Sequence, residues 1–205
     1  MAETCRPQVK KNREVMPVAP LMKEHRLIER VVAAMKYRQQ VLGRDPAGDH
    51  CFITAVVGFM REYTDRCHHG KEEDILFRRL AEKSLSVEHK TMLQELLREH
   101  EIARGEIALL EKANEEYAQG RQQAIKDINA AMVFLEKLYV HHIEKEDQRF
   151  FLPCMKYFSQ DEWHRMLDEF SEFDQRFMME YSKQTVEELE TMAGLAAVQR
   201  KGKRT

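Results

Sequence analysis

The stretch "HHGKEEDILF" at residues 68–77 recurs in outline as "HHIEKEDQRF" at residues 141–150. Both decamers begin with two histidines, carry Glu-Asp at their sixth and seventh positions, and end in Phe. Each lies within a segment whose apolar residues recur every three or four positions, which is the period of an amphipathic α-helix. The same polar decamer in two core-like helices predicts that both copies serve one buried site.

The composition around these decamers favours long helices. The chain has 205 residues, 33 basic and 35 acidic, with only 8 glycines and 5 prolines. Such a chain has few turns, and its near-neutral charge does not favour nucleic acid or an anionic membrane as a partner. No apolar run could span a membrane, and "MAETCRPQVKKNREV" lacks the apolar core of a secretory signal, so we expect a cytoplasmic protein. The cysteines show no C-x-x-C spacing and are expected to be reduced thiols: Cys5, Cys51, Cys67 and Cys154.

The helical periodicity predicts an all-α fold, an up-down-up-down four-helix bundle with an additional C-terminal helix. Capping residues, glycine and proline mark the predicted boundaries. The helices are expected to begin near Pro20, at an N-cap Asp49, at an N-cap Ser86, near Arg121 and at the capping box of Ser159. The last three are expected to end at Gly120, at Phe150 before Pro153, and near Met192. We expect a mobile arm over residues 1–18, a single bundle domain over 19–193 and a basic tail over 194–205.

Each decamer is preceded by a matching Glu-His pair, in "EHRLIER" and "EHEIARG". Aligning the decamers histidine on histidine pairs His69 with His142 and Glu73 with Glu146. In each pair the His and the Glu are four residues apart and share a helix face. That spacing also arises from charge patterning on a solvated face, but two such hairpins around a pseudo-two-fold axis would direct four histidines and two carboxylates inward. The predicted metal ligands are His25, His69, Glu73, His100, His142 and Glu146.

The donor types narrow the choice of metal. Imidazole and carboxylate without thiolate favour iron, manganese or zinc. Six donors exceed the three or four of a mononuclear zinc site. If each Glu bridges two ions, each ion has two imidazoles, two carboxylate oxygens and a shared oxo or hydroxo group. A pair of iron ions satisfies this count and leaves a position for O2, NO, peroxide or water, while zinc and manganese remain alternatives.

The segments "PLMKEHRLIERV", "DRCHHGKEEDILF", "REHEIARG" and "HIEKEDQRFFLP" together resemble the hemerythrin-like, HHE cation-binding domain family, over roughly residues 20–158. The resemblance implies a four-helix bundle with a non-haem di-iron centre held by the six residues above. One departure is the lack of a second histidine one turn from His100, where Leu96 and Arg104 stand instead. That departure counts against reversible O2 carriage and favours sensing O2 or NO, handling peroxide or holding iron.

Three functional classes follow from these patterns. The leading hypothesis is a metal-binding and O2-binding protein rather than a dedicated enzyme. A ferritin-like di-iron oxidase or iron store is the second, although no histidine here has the Glu three residues before it that those proteins use. A structural helical bundle, with zinc or without metal, is the third. The sequence predicts neither the oligomeric state nor a downstream partner.

Several residues beside the predicted ligands have two interpretations. His68 and His141 are expected beside the site or at the surface, with His68 reaching the metal only if the helix distorts near Gly70. Tyr139, one turn before His142, lies either near the metal or in an ordinary core. Acidic neighbours of the ligands are candidates for orienting the imidazoles: Glu24, Asp74, Glu99 and Asp147.

Overall fold

A computed structural model describes residues 16–176 and 183–195. Every regular element in these ranges is helical, as the sequence predicted. The helices are α1 (Val18–Gln39), α2 (Pro46–Phe59, continued through residue 81), α3 (Val87–Ala118), α4 (Ala124–Lys145, continued through residue 157), α5 (Gln160–Arg176) and α6 (Lys183–Ala193).

Two of these helices change their winding along their length. The continuation of α2 is π-helical over Met60–His69 and Glu72–Phe77, and ends as the α-helical turn Arg78–Ala81. The continuation of α4 is π-helical over Glu146–Phe150, followed by Phe151–Cys154 and the 3₁₀ turn Met155–Tyr157. A π-helical turn closes with an i→i+5 hydrogen bond and is rare outside functional sites. All three π-helical stretches overlap the repeated decamers or lie within them.

The first four helices form a ring in which α1 packs on α2 and α4, and α3 packs on the same two helices. Short connections make neighbours in the ring antiparallel, which confirms the expected bundle. The C-terminal helices pack outside it. α5 contacts the π-helical stretch Glu72–Phe77, whereas α6 packs against α1 and the start of α2.

The predicted N-terminal caps of α3 and α5 are confirmed. The Ser86 hydroxyl accepts a hydrogen bond from the backbone N–H of His89 at 3.3 Å. The backbone N–H of Ser159 donates to the Glu162 carboxylate at 2.8 Å, which completes a capping box. α3 ends at Ala118, just before Gly120, whose φ is +91°.

The predicted start of α2 at Asp49 is wrong. The N-cap is Asp45, whose carboxylate accepts from the backbone N–H of Gly48 at 3.1 Å. Asp49 is fully buried one turn into the helix, where it accepts bonds from Arg38 and from the backbone N–H of Gly43, each at 2.7 Å. This carboxylate therefore ties the α1–α2 turn together instead of capping a helix.

One other predicted helix boundary differs from the structure. The segment after α4 does not stop before Pro153, because this residue lies in the short helical segment Phe151–Cys154. Pro153 has no N–H with which to continue the hydrogen bonding of α4, and the chain changes to the 3₁₀ turn Met155–Tyr157 directly after this segment. The predicted fifth helix is described as α5 and α6, and residues 177–182 between them lie outside the described part. Most of the predicted arm over residues 1–18 and of the predicted tail over residues 194–205 also lies outside it, but Val18 is buried at the start of α1, so the arm is at least one residue shorter than predicted.

Buried apolar side chains form two clusters, one towards each end of the bundle. A layer of buried polar residues separates them. On α1, His25 lies between Leu21 of one cluster and Ile28 of the other. The same order holds on the other three helices of the ring, so the layer is enclosed by hydrocarbon at both ends.

Cysteines and apolar length add two further findings. Cys51 is exposed, Cys67 and Cys154 are buried, and each of these three is a free thiol. Burial raises the pKa of the Cys154 thiol to about 12. No helix within the described ranges has the length and apolar character needed to cross a lipid bilayer.

Candidate metal centre

The polar layer contains two overlapping groups of histidine and glutamate. Within each group, one donor atom from every residue lies within 4.8 Å of the others, and every member is buried. The first group is His69, Glu72, His100 and His142, and the second is His25, His68, Glu72 and Glu146. Five imidazoles and two carboxylates, contributed by all four helices of the ring, therefore meet at one place.

Glu72 lies between the two groups. Its Oε1 is 3.2 Å from the Nε2 atom of His68, and its Oε2 is 3.5 Å from the Nε2 atom of His100. The side chain is fully buried, and neither oxygen has a hydrogen-bond partner. A buried carboxylate without partners costs several kcal/mol, roughly, unless a cation offsets it. Both oxygens are therefore positioned to bind cations.

Glu146 has the same character on the opposite side of the layer. Its Oε2 is 3.1 Å from the Nε2 atom of His25 and 3.3 Å from the Nε2 atom of His142. Its carboxylate oxygens are also buried without a hydrogen-bond partner, as is the Nε2 atom of His25. The layer thus presents two carboxylates, each within reach of imidazoles from two different helices.

Each of the five imidazoles is oriented from outside the layer. Its Nδ1–H donates to a carboxylate, which fixes the tautomer and leaves Nε2 available for a metal. The pairs are His25 with Asp147 (2.7 Å), His68 with Glu24 (2.9 Å), His69 with Asp65 (3.4 Å), His100 with Glu73 (2.7 Å) and His142 with Glu99 (2.9 Å).

A further ring of cations holds these outer carboxylates. Arg104 bonds two of them, and three other cations bond one each. The pairs are Arg104 with Asp65 (2.7 Å) and Glu73 (2.6 Å), Lys145 with Glu99 (2.5 Å), Lys71 with Glu24, and Arg26 with Asp147. Burial raises the pKa of Glu73, but its bonds to His100 and Arg104 outweigh burial and lower the pKa overall. Bonds to His142 and Lys145 lower the pKa of Glu99 in the same way, so Glu73 and Glu99 stay charged.

Inside the layer, burial and neighbouring charges compete in setting the pKa values. Burial lowers the pKa values of His68 and His69 well below the usual range, so both rings are neutral and have a lone pair to donate. Burial, and then the charge of Glu146, raises the pKa of Glu72 well above normal. Burial acts the same way on Glu146, but His142 and His25 outweigh it and lower its pKa to about 2. A divalent cation between the two carboxylates would remove the repulsion between them.

The π-helical winding of α2 explains how two consecutive histidines both face inward. Neighbouring residues on an α-helix diverge by about 100°, so His68 and His69 could not both point at one site from an ideal helix. The stretch Met60–His69 is π-helical, and its wider turn holds more residues. Glu72, four residues after His68, then faces the same interior.

Five of the six predicted ligands are brought together by the structure: His25, His69, His100, His142 and Glu146. Glu73 is not. It lies outside the layer, where it bonds the Nδ1 atom of His100, and Glu72 occupies the place expected for it. The expectation that His68 lies beside the site or at the surface is also wrong, because His68 is 1 % exposed within the second group.

The sequence contained a signal for both missed residues. His68 and Glu72 are themselves a His and a Glu four residues apart. Aligning them with His142 and Glu146 requires a shift of 74 residues, whereas matching the paired histidines requires 73. The paired histidines of the decamers favoured the shorter shift. His141, which that shift aligns with His68, is exposed and bonds the carbonyl of Lys137.

The predicted orienting residues are mostly in place. Three of them accept a hydrogen bond from a site histidine: Glu24, Glu99 and Asp147. In each case the histidine lies on a neighbouring helix, and not on the helix of the carboxylate itself. Asp74 is exposed and makes no such bond. Asp65 was missed, although it stands four residues before His69 and so shares its helix face.

Tyr139 combines both interpretations given for it. It is a buried core residue of α4, yet its ring is nearly parallel to that of His69, with the centroids 6.5 Å apart. Its hydroxyl has no hydrogen-bond partner. Burial, followed by the charge of Asp65, raises the pKa of this phenol well above its usual value.

Comparison with known proteins agrees with this geometry. The family model of the hemerythrin HHE cation-binding domain matches residues 12–152, a range that includes all seven buried donors. Neither the curated proteins nor the solved structures include a significant match. Because the family match spans more than half of the 205 residues, the chain belongs to the family of hemerythrin HHE cation-binding domains.

Proposed function

We propose that this chain holds a pair of non-haem iron ions and binds O2, NO or peroxide, for sensing, detoxification or iron handling. His69, His100 and His142 would hold one ion, and His25 and His68 the other. Glu72 and Glu146 would be shared between them. Bound iron would supply a redox-active Lewis acid that takes up small ligands.

One observation carries this proposal: two buried carboxylates without hydrogen bonds face five imidazoles whose other nitrogens are already bonded. A purely structural bundle has no reason to bury such groups, because each unpartnered polar atom destabilises the fold. The outer carboxylates and their cations fix each imidazole in a metal-binding orientation. The whole layer is thus organised around cations.

The donor set supports a pair of iron ions. Nitrogen and oxygen donors without thiolate suit iron, manganese or zinc. Seven donor residues exceed what a single zinc ion takes, and both carboxylates lie within reach of imidazoles from two helices. Iron rather than zinc or manganese is favoured by the di-iron centre that the family resemblance implies.

The two groups differ in their number of imidazoles, and this favours binding of an external ligand. The first group offers three imidazoles and the second offers two. An ion held by His25 and His68 would therefore have one protein ligand fewer, which leaves a position for a small molecule. With His68 included, the site has five histidines, so a shortage of histidine no longer counts against O2.

The first experiment is metal analysis of protein purified anaerobically, with absorption spectra taken before and after exposure to air. We expect about two iron ions per chain and near-ultraviolet bands that appear on oxidation. His100→Ala should lose metal. His89→Ala is the matched control, because His89 is also buried on α3 but bonds the Tyr157 hydroxyl outside the site.

Chelation separates this proposal from its alternatives. A metal-stabilised fold should lose thermal stability in the presence of a chelator, since an ion that binds only the folded state stabilises it. Zinc as the purified metal, with no spectral change after ferrous reconstitution, would favour the zinc-bound structural bundle. Trace metal even after reconstitution would overturn the assignment of all seven donors.

A further inference from the structure

A cleft of about 410 Å³ runs along the outside of the bundle between α1 and α4. Its floor is mostly apolar, and its ends carry ion pairs. Among the residues that line it are Val32, Ala33, Tyr139, Val140, Ile143 and Asp147. Val140 is 53 % exposed on one wall, and Ala33 is exposed on the other.

All four sides of the polar layer are crossed by charged pairs, and on the α1–α4 side, beside the cleft, Arg26 bonds Asp147. Between α2 and α3, Arg104 bridges Asp65 and Glu73. Between α3 and α4, Lys145 bonds Glu99, and between α1 and α2 the fully buried Lys71 bonds Glu24 and, at 2.7 Å, Asp174 of α5. The four cations differ in exposure, because the side chain of Arg26 is 53 % exposed, that of Arg104 39 %, that of Lys145 17 % and that of Lys71 0 %. The α1–α4 side is therefore the least closed of the four.

The inner end of the cleft touches residues that belong to the metal centre. Asp147, on its lining, accepts the bond from the Nδ1 atom of His25 at 2.7 Å. Tyr139, also on the lining, lies with its ring 6.5 Å from that of His69. Asp147 therefore contacts the second group, through His25, and Tyr139 contacts the first group, through His69.

We infer that this cleft is the entrance through which small uncharged molecules reach the metal centre, and that Tyr139 forms its inner wall and hydrogen-bonds the ligand that arrives. The inference rests on the proposed function, because it needs metal in the polar layer. It adds the route, the charge of the ligand and a residue that selects it.

The charge of the cleft sets the ligand class. Four carboxylates line it, against two cations: Glu29, Glu136, Glu144 and Asp147, with Arg26 and Lys36. A cleft with an excess of negative charge lowers the local concentration of anions and has no such effect on neutral molecules. O2, NO and hydrogen peroxide should therefore enter faster than azide or superoxide.

The Tyr139 hydroxyl supplies the second part of the inference. A buried hydroxyl without a partner is uncommon in folded proteins and has hydrogen-bonding capacity to give. The side chain is 2 % exposed, so bulk water does not satisfy it. A ligand that arrives at the inner end of the cleft and accepts a hydrogen bond would be held there longer.

The test fills the cleft from both walls. Ala33→Trp and Val140→Trp each place an indole in the cleft from an exposed position, so neither should disturb the core. Ala130→Trp is the matched control, because Ala130 is also exposed but lines a different cleft between α3 and α4. We expect NO association with reduced protein, followed by stopped-flow absorbance, to slow by about 10-fold or more in the first two variants and to be unchanged in the control.

The hydroxyl is tested with Tyr139→Phe, which keeps the ring and removes one hydrogen bond. Dissociation of the ligand should quicken about 2- to 10-fold, the range of one neutral hydrogen bond, with little change in association. Lowering the ionic strength should slow azide association with the oxidised protein and leave NO association unchanged.

Three results would each overturn a different part of the proposals. Full metal content with equal NO rates in Ala33→Trp, Val140→Trp and Ala130→Trp would overturn the entrance. An unchanged dissociation rate in Tyr139→Phe would overturn the role of the hydroxyl. Absence of metal from the unmutated chain is a separate result, because it would overturn the proposed function itself.

Discussion

The two helical hairpins, α1–α2 and α3–α4, build the polar layer from the same parts. In each, a histidine of the second helix bonds a glutamate of the first, and a lysine of the second helix bonds that glutamate. The first hairpin has His68, Glu24 and Lys71, and the second has His142, Glu99 and Lys145. Four residues after each of these histidines stands a carboxylate of the site, Glu72 or Glu146.

The hairpins differ because the first has an additional imidazole in the layer. His69 has its counterpart in Ile143, a buried member of an apolar cluster. The first hairpin is also covered by α5, with Phe173 packed against Gly70, whereas the residue equivalent to Gly70 is the exposed Glu144 beside the α1–α4 cleft. One group of an almost symmetric layer therefore has a third imidazole, and α4 of the second hairpin borders the cleft.

The largest effect expected from a substitution in the polar layer is on metal content. Glu72→Gln should lose most of the bound metal, because it removes a carboxylate shared by both groups. Glu73→Gln should keep the metal sites, with affinity lower by about 10- to 100-fold, since Glu73 only orients His100. Metal titration of both variants measures the difference.

The second hairpin provides the control for that pair. Glu146→Gln should behave like Glu72→Gln, and Asp147→Asn like Glu73→Gln. The reverse order, with Glu73→Gln losing metal and Glu72→Gln retaining it, would show that the alignment by paired histidines is the correct one.

A smaller effect on metal affinity is expected when the first hairpin is given the residue that the second hairpin has at the position equivalent to His69. His69→Ile copies the residue found at Ile143 and removes the third imidazole of the first group. One ion should then bind more weakly, by more than the roughly 10- to 100-fold typical of an orienting residue, while the other keeps its affinity. Biphasic release of metal to a chelator would show this. A loss of both ions together would contradict the division into two groups.

Much of the fold was predictable from the sequence, for local reasons. Hydrophobic period and caps such as Ser86 and the Ser159 capping box are encoded within a few residues. Four of the five histidines were found because His25 and His100 accompany the decamers at nearly constant distance. Asp49 shows the limit of prediction from local patterns. Aspartate is a common N-cap residue, but here it forms a buried ion pair with Arg38.

The choice between Glu72 and Glu73 was not predictable from helical spacing. Sequence identity between the two decamers is highest when they are aligned with an offset of 73 residues. The residues that face the interior correspond at an offset of 74 residues. The reason is the π-helical winding around His68 and His69, which changes the residue that faces inward after each turn. The winding occurs where tertiary contacts form, for example between Phe173 and Gly70, and a local sequence pattern does not predict such contacts.

Stability should distinguish the two lysines. Lys71 is fully buried between Glu24 and Asp174, whereas the Lys145 side chain is 17 % exposed. Lys71→Met leaves buried negative charge without a partner and should lower the free energy of unfolding by about 3 to 5 kcal/mol. Lys145→Met should cost roughly 1 kcal/mol. Urea unfolding in chelator, where metal affinity does not contribute, gives both values, and equal losses would contradict the role of α5 in burying the first lysine.

The smallest effect concerns the glycine that lets α5 approach. A Cβ at Gly70 would lie 2.7 Å from the Cζ atom of Phe173, whereas a Cβ at Gly58 would meet no atom within 4 Å. Both glycines have helical neighbours, so alanine gains about 1 kcal/mol of helix propensity at either position. Gly58→Ala should be stabilising, while at Gly70 a packing cost of roughly 1 to 3 kcal/mol should cancel or reverse the gain. In a Phe173→Leu background, which removes the contacting ring atom, Gly70→Ala should become stabilising as well. A double-mutant cycle by urea unfolding measures this coupling, and a coupling energy near zero would mean that the close approach of α5 does not explain the glycine.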